Sequence, residues 1–139
     1  MPIVHFHLAS DLSTPVQRAE LVQRACQTYA YMLQAPIDRT RAFIHLYAGS
    51  DLAVGGCTVA DQAVHAPFFE FLVLAGRAAE QRTALMLRFT DLLEEVLGVP
   101  RAVIRGCCRQ VDPEDWSIAG MPASAARRDE IAARSQRPT

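Results

Sequence analysis

The chain has 139 residues, half of them apolar, with 14 basic and 15 acidic side chains and a formal net charge of −1. That length suffices for one compact domain with a hydrophobic core, or for two small units that share one. The near-neutral charge argues against nucleic acid or an anionic membrane surface, so small molecules and other protein chains are the expected partners.

The opening stretch MPIVHFHL has neither the basic region nor the unbroken apolar run of a secretory signal. No stretch of the sequence approaches the roughly 20 apolar residues that cross a bilayer. We therefore expect a soluble, cytoplasmic protein that does not act at a membrane. The cysteines show no CxxC spacing, which predicts reduced, structural thiols at Cys26, Cys57, Cys107 and Cys108.

The first elements in the chain are a strand and a helix. Pro2 suits the first position of the strand-like stretch PIVHFHL, where its missing N–H costs no ladder bond. The letters STPVQ predict a helix start, with Thr14 as N-cap, Pro15 in the first turn and Gln17 in a capping box. We expect this helix to run to about residue 33, and to bury Leu21, Cys26, Tyr29 and Leu33.

The second half of the chain repeats this pattern. Pro67 opens PFFEFLVLAGR 65 residues after Pro2, and a helix is expected from about Ala78 until Gly98 ends it. The helix positions expected to be buried are Leu85, Phe89, Leu92 and Val96. The further matched pairs are Pro36 with Pro100, Arg41 with Arg105, and Gly56 with Gly120.

Strand, helix and strand in this order form a βαβ unit with parallel strands. Two such units predict an α/β (α+β) fold, in which a four-stranded sheet carries both helices on one face. We expect the uncovered face to pack against other copies, most simply in a homotrimer. The expected division is one domain with repeats 2–56 and 67–120, a linker 57–66, and a tail 121–139 that is frayed apart from one short helix.

His5 and His7 alternate along the first strand, and His45 belongs to the strand expected beside it. Alternating positions share one face of a sheet. Because no acidic or cysteine partner stands at helical spacing nearby, we predict polar side chains at a subunit interface or pocket, and no metal site.

Three stretches match the pattern of a known family: LAGRAAEQRTALM, VPRAVIRGCCRQVDPEDWSIAG, and, in the first half, APIDRTRAFIHLYAGSDLAVGG behind the Met-Pro start. Each half resembles a subunit of the 4-oxalocrotonate tautomerase family, small βαβ proteins whose initiator methionine is removed. The double length is similar to fused members of that superfamily, which include malonate semialdehyde decarboxylase and cis-3-chloroacrylic acid dehalogenase. The resemblance implies the tautomerase (MIF-like) fold, a homotrimer, and neither cofactor nor metal.

The resemblance assigns the catalytic role to Pro2, whose nitrogen becomes a free secondary amine once Met1 is removed. An α-amino group has a pKa of about 8, which falls on desolvation or beside other cations, so it can act as a base near neutral pH. Pro67 matches Pro2 in sequence, but its nitrogen is an amide inside the chain. One working amine per chain is therefore expected.

The resemblance also implies the residues that bind the substrate carboxylate. Arg77 falls on the substrate-binding arginine of the GR-x-x-E-Q motif, and Leu12 replaces it in the first half. Arg41 and Arg105 both fall on a second binding arginine, which in the family comes from a neighbouring subunit. Trp116 falls on an aromatic residue that walls the pocket.

The implied reaction is keto-enol tautomerisation of small 2-hydroxy-dienoates or 2-oxo acids. Decarboxylase, hydratase or dehalogenase activity on a small 3-oxo or unsaturated acid is the alternative, and a trimeric binding protein without catalysis is a third. The extra arginine of the dehalogenase and decarboxylase branches is replaced by Leu74 and Ala75, and the dehalogenase's helix histidine by Tyr29. For a carboxylate that activates water, the sequence offers Glu114 or Asp115.

Overall fold

The computed structural model describes residues 2–136 and shows two matching halves followed by an extra helix. The first half contains β1 (Ile3–Ala9), α1 (Pro15–Leu33), β2 (Arg41–Tyr47), β3 (Ala53–Val54), β4 (Cys57–Thr58) and α2 (Val59–Gln62). The second half contains β5 (Phe68–Leu74), α3 (Ala79–Leu97), β6 (Arg105–Val111), β7 (Ser117–Ile118), β8 (Met121–Pro122) and α4 (Ala123–Ala126). The last helix is α5 (Arg128–Ser135).

The four long strands form one sheet in the order β2-β1-β5-β6. Within each half the two strands run parallel, as a βαβ unit requires. The halves meet through the antiparallel pair β1 and β5, where Phe6 lies opposite Phe69. Both α1 and α3 pack against the same face and share one hydrophobic core. The structure therefore confirms the predicted fold of two βαβ repeats.

The ends of the long helices follow local sequence signals. The Gln17 backbone N–H donates to Thr14 Oγ1 at 3.2 Å, and the Thr14 N–H donates to Gln17 Oε1 at 2.9 Å, which forms the predicted capping box. Both helices end in a left-handed residue, Gln34 at φ 49° and Gly98 at φ 68°. Among the described residues, no helix is both long and apolar enough to cross a membrane.

An aromatic cluster forms the centre of the core. The Phe89 ring centroid lies 5.0 Å from that of Tyr29 and 5.3 Å from that of Phe71, both in edge-to-face geometry. The alternate positions of the central strands complete this layer, because successive strand residues point to opposite faces. On the face that meets the helices, β1 and β5 bury Val4, Phe6, Leu8, Phe69, Phe71 and Val73.

The buried faces of the two helices follow the prediction with one exception. On α1, Ala25 is fully buried, whereas Cys26 is only half-buried. Residue 25 lies four positions from both 21 and 29, so it faces the sheet with them, and residue 26 lies beside that stripe. On α3 the predicted positions are all buried: Leu85, Phe89, Leu92 and Val96.

The two halves fill equivalent space in different ways. In the first half Val4 of β1 pairs with Ala42 of β2, and in the second half Phe69 of β5 pairs with Gly106 of β6. A Cβ atom at Gly106 would overlap the Phe69 ring. The larger side chain in β5 is therefore accommodated by the smaller residue in β6.

We expect Gly106→Ala to destabilise the protein by about 1–3 kcal/mol, because the added methyl group forces Phe69 from a closely packed position. Urea denaturation measures the change. Ala42→Gly is the matched variant in the other repeat and should cost only about 0.5–1 kcal/mol. A Gly106→Ala protein as stable as the wild type would show that Phe69 is not confined by β6.

The other face of the sheet carries no helix and presents a polar layer. His5 Nδ1 lies 2.8 Å from His45 Nε2, and the ring of His7 stacks on His45 with centroids 4.7 Å apart. Glu70 accepts from Arg109 Nε at 3.0 Å on the same face. Residues 2–136 contain no group of three or more His, Cys, Asp or Glu that could hold a metal ion.

We expect acidification to destabilise the fold through His5. Burial and the nearby His45 lower the pKa of His5 below its usual 6.5, His7 adds to this effect, and Glu70 opposes it. His5 therefore takes up a proton more readily in the unfolded chain than in the folded one. Its contribution to stability is present above pH 6.5 and is lost as the pH falls below that value. Between about pH 8 and about pH 5.5, the free energy of unfolding should fall less for His5→Asn than for the wild type, as denaturation at the two pH values measures. Equal losses would contradict the assignment.

The segment after Gly120 is helical rather than a frayed tail with one short helix. β8 and α4 repeat β4 and α2 of the first half, so the structural repeat continues beyond the two matched glycines. Arg39 Nη1 then donates to both carboxylate oxygens of Glu130 in α5, at 2.9 and 3.1 Å. This ion pair joins α5 to the turn that precedes β2, 91 residues earlier in the chain.

Candidate active site

A cavity of about 410 Å³ opens where β1 begins and its antiparallel neighbour β5 ends. The end of α1 and the following turn form one wall, and α5 forms another. The lining residues are Pro2, Leu33, Gln34, Ala35, Pro36, Arg39, Val73, Leu74, Arg77, Gln81, Ile118, Arg127, Glu130, Ala133 and Arg134.

Pro2 is buried at this cavity, directly before β1. Its carbonyl oxygen accepts a hydrogen bond from the Arg41 backbone N–H at 3.0 Å. This bond continues the parallel ladder between β1 and β2 by one residue and fixes the position of the ring. Met1 lies outside the described residues, and its expected removal stays a prediction.

Arg77 lines the same cavity from the segment between β5 and α3. Its Nη1 donates to the Leu33 carbonyl at 3.2 Å, which satisfies an acceptor at the end of α1. Burial lowers the pKa of Arg77 to about 10, and the positive charge of Arg134 adds to this effect against the opposing charge of Glu130. The guanidinium remains positively charged at neutral pH.

Two further predicted arginines lie elsewhere in the single chain. Arg41 begins β2 and Arg105 begins β6, the two edge strands, and both are exposed. Arg105 Nη1 donates to the carbonyls of Ala102 and Ile104, at 2.8 and 2.9 Å. Neither arginine lines the cavity, and each stands at an edge of the sheet.

Trp116 is half-buried and is not among the residues that line the cavity. Its indole nitrogen is buried and has no hydrogen-bond partner within residues 2–136. Ile118, two residues later in β7, reaches the cavity instead. Glu114 and Asp115 are exposed and also lie outside the lining, so neither is placed to activate water there.

Tyr29 belongs to the core and not to the cavity. Its hydroxyl donates to the Ile3 carbonyl at 2.8 Å and lies 3.3 Å from the Leu72 carbonyl. Burial raises its pKa, with a smaller contribution from Cys108. The phenol therefore stays protonated and holds the two central strands together near Pro2.

Sequence reasoning missed four charged residues of the cavity. Arg39 comes from the turn after α1, and Arg127, Glu130 and Arg134 come from the start and the body of the C-terminal helical segment. The i, i+4 spacing of Glu130 and Arg134 indicated a charged helix face. No local pattern indicated that this face would turn toward Pro2.

The equivalent place in the other half holds a second cavity of about 330 Å³ with a different character. Leu12 stands there where the first cavity has Arg77, and Val103 stands where it has Arg39. The two cavities are therefore lined by different chemistry at equivalent positions. The lining residues are Leu12, Ala63, Val64, His65, Leu97, Gly98, Val99, Pro100 and Val103.

Pro2 and Arg77 thus line one cavity of a sheet that is built from two βαβ repeats. The family model described as "Tautomerase enzyme" matches residues 67–126, which cover the second repeat. A 2-hydroxymuconate tautomerase from Comamonas testosteroni is 37% identical over 62 residues, which are 45% of this chain and 98% of that protein. The chain belongs to the tautomerase family, as a fused member with two repeats.

Solved structures match over both repeats. A native fused 4-OT has a TM-score of 0.84 and 25% identity, and the match covers 91% of this chain and 99% of that one. A fused 4-OT described as a wild-type symmetric trimer has a TM-score of 0.80 and 24% identity over 89% of this chain and 98% of its own. The double-repeat architecture is therefore shared along nearly the full length of these proteins.

Proposed function

We propose that this protein is a cytoplasmic, cofactor-independent tautomerase that acts on small 2-hydroxy-dienoates or 2-oxo carboxylic acids. After removal of Met1, the amine of Pro2 takes a proton from the enol oxygen or from carbon and returns it at the other position. Arg77 binds the substrate carboxylate and stabilises the enolate charge that develops during proton transfer.

The observation that carries this proposal is the shared cavity of Pro2 and Arg77. A base must lie within hydrogen-bond reach of the proton that it moves, and Pro2 is buried in the wall of the cavity rather than extended into solvent. The nearby cations favour a neutral amine, because a second positive charge is costly beside them. The same cations attract a carboxylate.

We further propose that two repeats form one domain and that three chains assemble into a homotrimer through the uncovered sheet faces. In such an assembly Arg41 or Arg105 of one chain completes the site of its neighbour, and Trp116 borders that site. The exposed sheet face and the edge positions of both arginines support this arrangement. Sedimentation equilibrium distinguishes the trimer from a monomer.

Ketonisation of phenylenolpyruvate, followed by ultraviolet absorbance, tests the reaction. Incubation with 3-bromopropiolate, followed by mass analysis of the intact chain and of its N-terminal peptide, tests the amine. We expect a chain that starts at Pro2, turns over phenylenolpyruvate, and carries the modification on that peptide. A chain that starts at Pro2 but shows neither turnover nor modification would instead indicate a trimeric binding protein.

Decarboxylation or hydration of a small 3-oxo or unsaturated acid is the second candidate, and Glu130 favours it. Its carboxylate lines the cavity that holds Pro2, and a hydratase needs such a group to activate water. The Arg39 guanidinium holds the pKa of Glu130 below its usual range, so the group is an anion at neutral pH. Release of CO2 from malonate semialdehyde tests for decarboxylation, addition of water to a small unsaturated acid tests for hydration, and turnover of phenylenolpyruvate tests for tautomerisation.

A further inference from the structure

Helix α5 brings charged side chains to the cavity that the two repeats alone do not provide. Arg134 and Glu130 of this helix line the cavity, together with Arg127 just before it. The Arg39–Glu130 ion pair ties the helix to the turn after α1 at 2.9 Å. This placement makes α5 a wall of the site rather than a separate surface helix.

Positive charge exceeds negative charge in this cavity. Four guanidinium groups and one carboxylate line it, and that carboxylate is bonded to Arg39. Within residues 2–136, no carboxylate oxygen lies within 4.0 Å of a guanidinium nitrogen of Arg77, Arg127 or Arg134. Charges of one sign in a half-buried space repel each other and favour the entry of an anion.

Arg77 and Arg134 both line this cavity, and their charges act on each other. Both side chains are half-buried, and the charge of Arg134 is felt at Arg77 as a lowered pKa. A carboxylate has two oxygens and can accept from two guanidinium groups at once. Placed between these arginines, it relieves their repulsion and gains hydrogen bonds from both.

We propose that Arg134 is a second substrate-binding residue, and that it shares one carboxylate of the substrate with Arg77. The proposal rests on the proposed function for the identity of the anion as a carboxylic acid. Its consequence is that the C-terminal helix forms part of the binding site and contributes to substrate affinity. A purely structural role for Arg134 would be to stabilise α5 itself, since its Nε donates to the Glu130 carbonyl one turn earlier in the helix at 3.3 Å.

Binding of 3-phenylpropanoate tests the proposal without catalysis, because this carboxylate has no enol or keto group to tautomerise. Isothermal titration calorimetry should show binding to the wild-type protein and a dissociation constant at least about tenfold higher for Arg134→Gln, since a charged hydrogen bond is lost. Arg128→Gln is the matched control, because Arg128 is exposed on the same helix outside the cavity. It should bind like the wild type.

Two further variants separate binding from structure. Arg134→Lys keeps a cation at the end of α5 but loses the planar fork, so it should remain as stable as the wild type and still bind more weakly. If both arginines hold one carboxylate, Arg77→Gln combined with Arg134→Gln should weaken binding by less than the product of the single effects. Full multiplicativity would show that the two arginines contribute independently to binding and would contradict the proposal.

Two further results would overturn the proposal that Arg134 binds the substrate carboxylate. One is an Arg134→Gln protein that binds 3-phenylpropanoate as tightly as the wild type, and the other is a wild-type protein that does not bind it. Failure of the proposed function gives a different result. In that case phenylenolpyruvate is not turned over by any variant, while the calorimetric differences between Arg134→Gln and Arg128→Gln remain.

Discussion

Blocking the prolyl nitrogen should reduce turnover of phenylenolpyruvate by about 10²–10⁴-fold, the range that a positioned general acid or base contributes. Insertion of a leucine between Met1 and Pro2 achieves this, because methionine is retained before a bulky residue and the proline nitrogen stays an amide. The fold should be unaffected, since the insertion precedes β1. Steady-state kinetics measure the loss, and the mass of the intact chain verifies the new N-terminus.

Pro67→Ala provides the matched control for this experiment. Pro67 is buried at the start of β5, and its carbonyl accepts from the Arg105 N–H at 3.2 Å as that of Pro2 accepts from Arg41. Its nitrogen is an amide and can take no proton, so kcat should be unchanged. Loss of activity in this variant, or normal activity after the leucine insertion, would remove Pro2 from the mechanism.

The sequence predicted the sheet and its helices well because the relevant signals are local. Alternating apolar residues, the Thr14 capping box and the glycine after α3 each lie within one element. The repeat then showed that these elements occur twice. The antiparallel contact between β1 and β5 lies between the repeats, where no short-range pattern specifies which edges meet.

The cavity was less predictable because its walls come from distant parts of the chain. Pro2 and Arg77 were identified by resemblance, and both line it. The segment from residue 121 was expected to be frayed apart from one short helix, because an Ala- and Arg-rich stretch without apolar periodicity gives no packing signal. Its anchor is Arg39, an ordinary surface arginine by sequence, whose partner Glu130 is set by tertiary structure alone.

Comparison of the two cavities indicates which differences carry chemistry. The halves have nearly the same backbone elements, yet one cavity has guanidinium groups where the other has Leu12 and Val103. Pro67, the counterpart of Pro2, is not among the residues that line the second cavity, and its nitrogen is an amide that cannot titrate. One cavity therefore combines Pro2 of the first repeat with Arg77 of the second, whereas the other cavity is lined by neither.

Substitution of Arg77 should have the second large effect. A charged hydrogen bond contributes about 1.5–3 kcal/mol, so Arg77→Gln should lower kcat/KM for phenylenolpyruvate by about 10- to 150-fold. Because the pKa of Arg77 is about 10, its cation persists throughout the neutral range. The rate should therefore change between about pH 6 and about pH 8 through the amine of Pro2 and not through Arg77.

Two variants show whether the effect comes from the site. Arg88→Gln removes a surface arginine of α3 that pairs with Asp91 at 2.9 Å, and it should leave kcat/KM unchanged. Leu12→Arg places a cation in the apolar cavity but supplies no free amine, so it should not rescue Arg77→Gln. Rescue by Leu12→Arg would show that the second cavity can catalyse the reaction, and the requirement for the N-terminal amine would then be wrong.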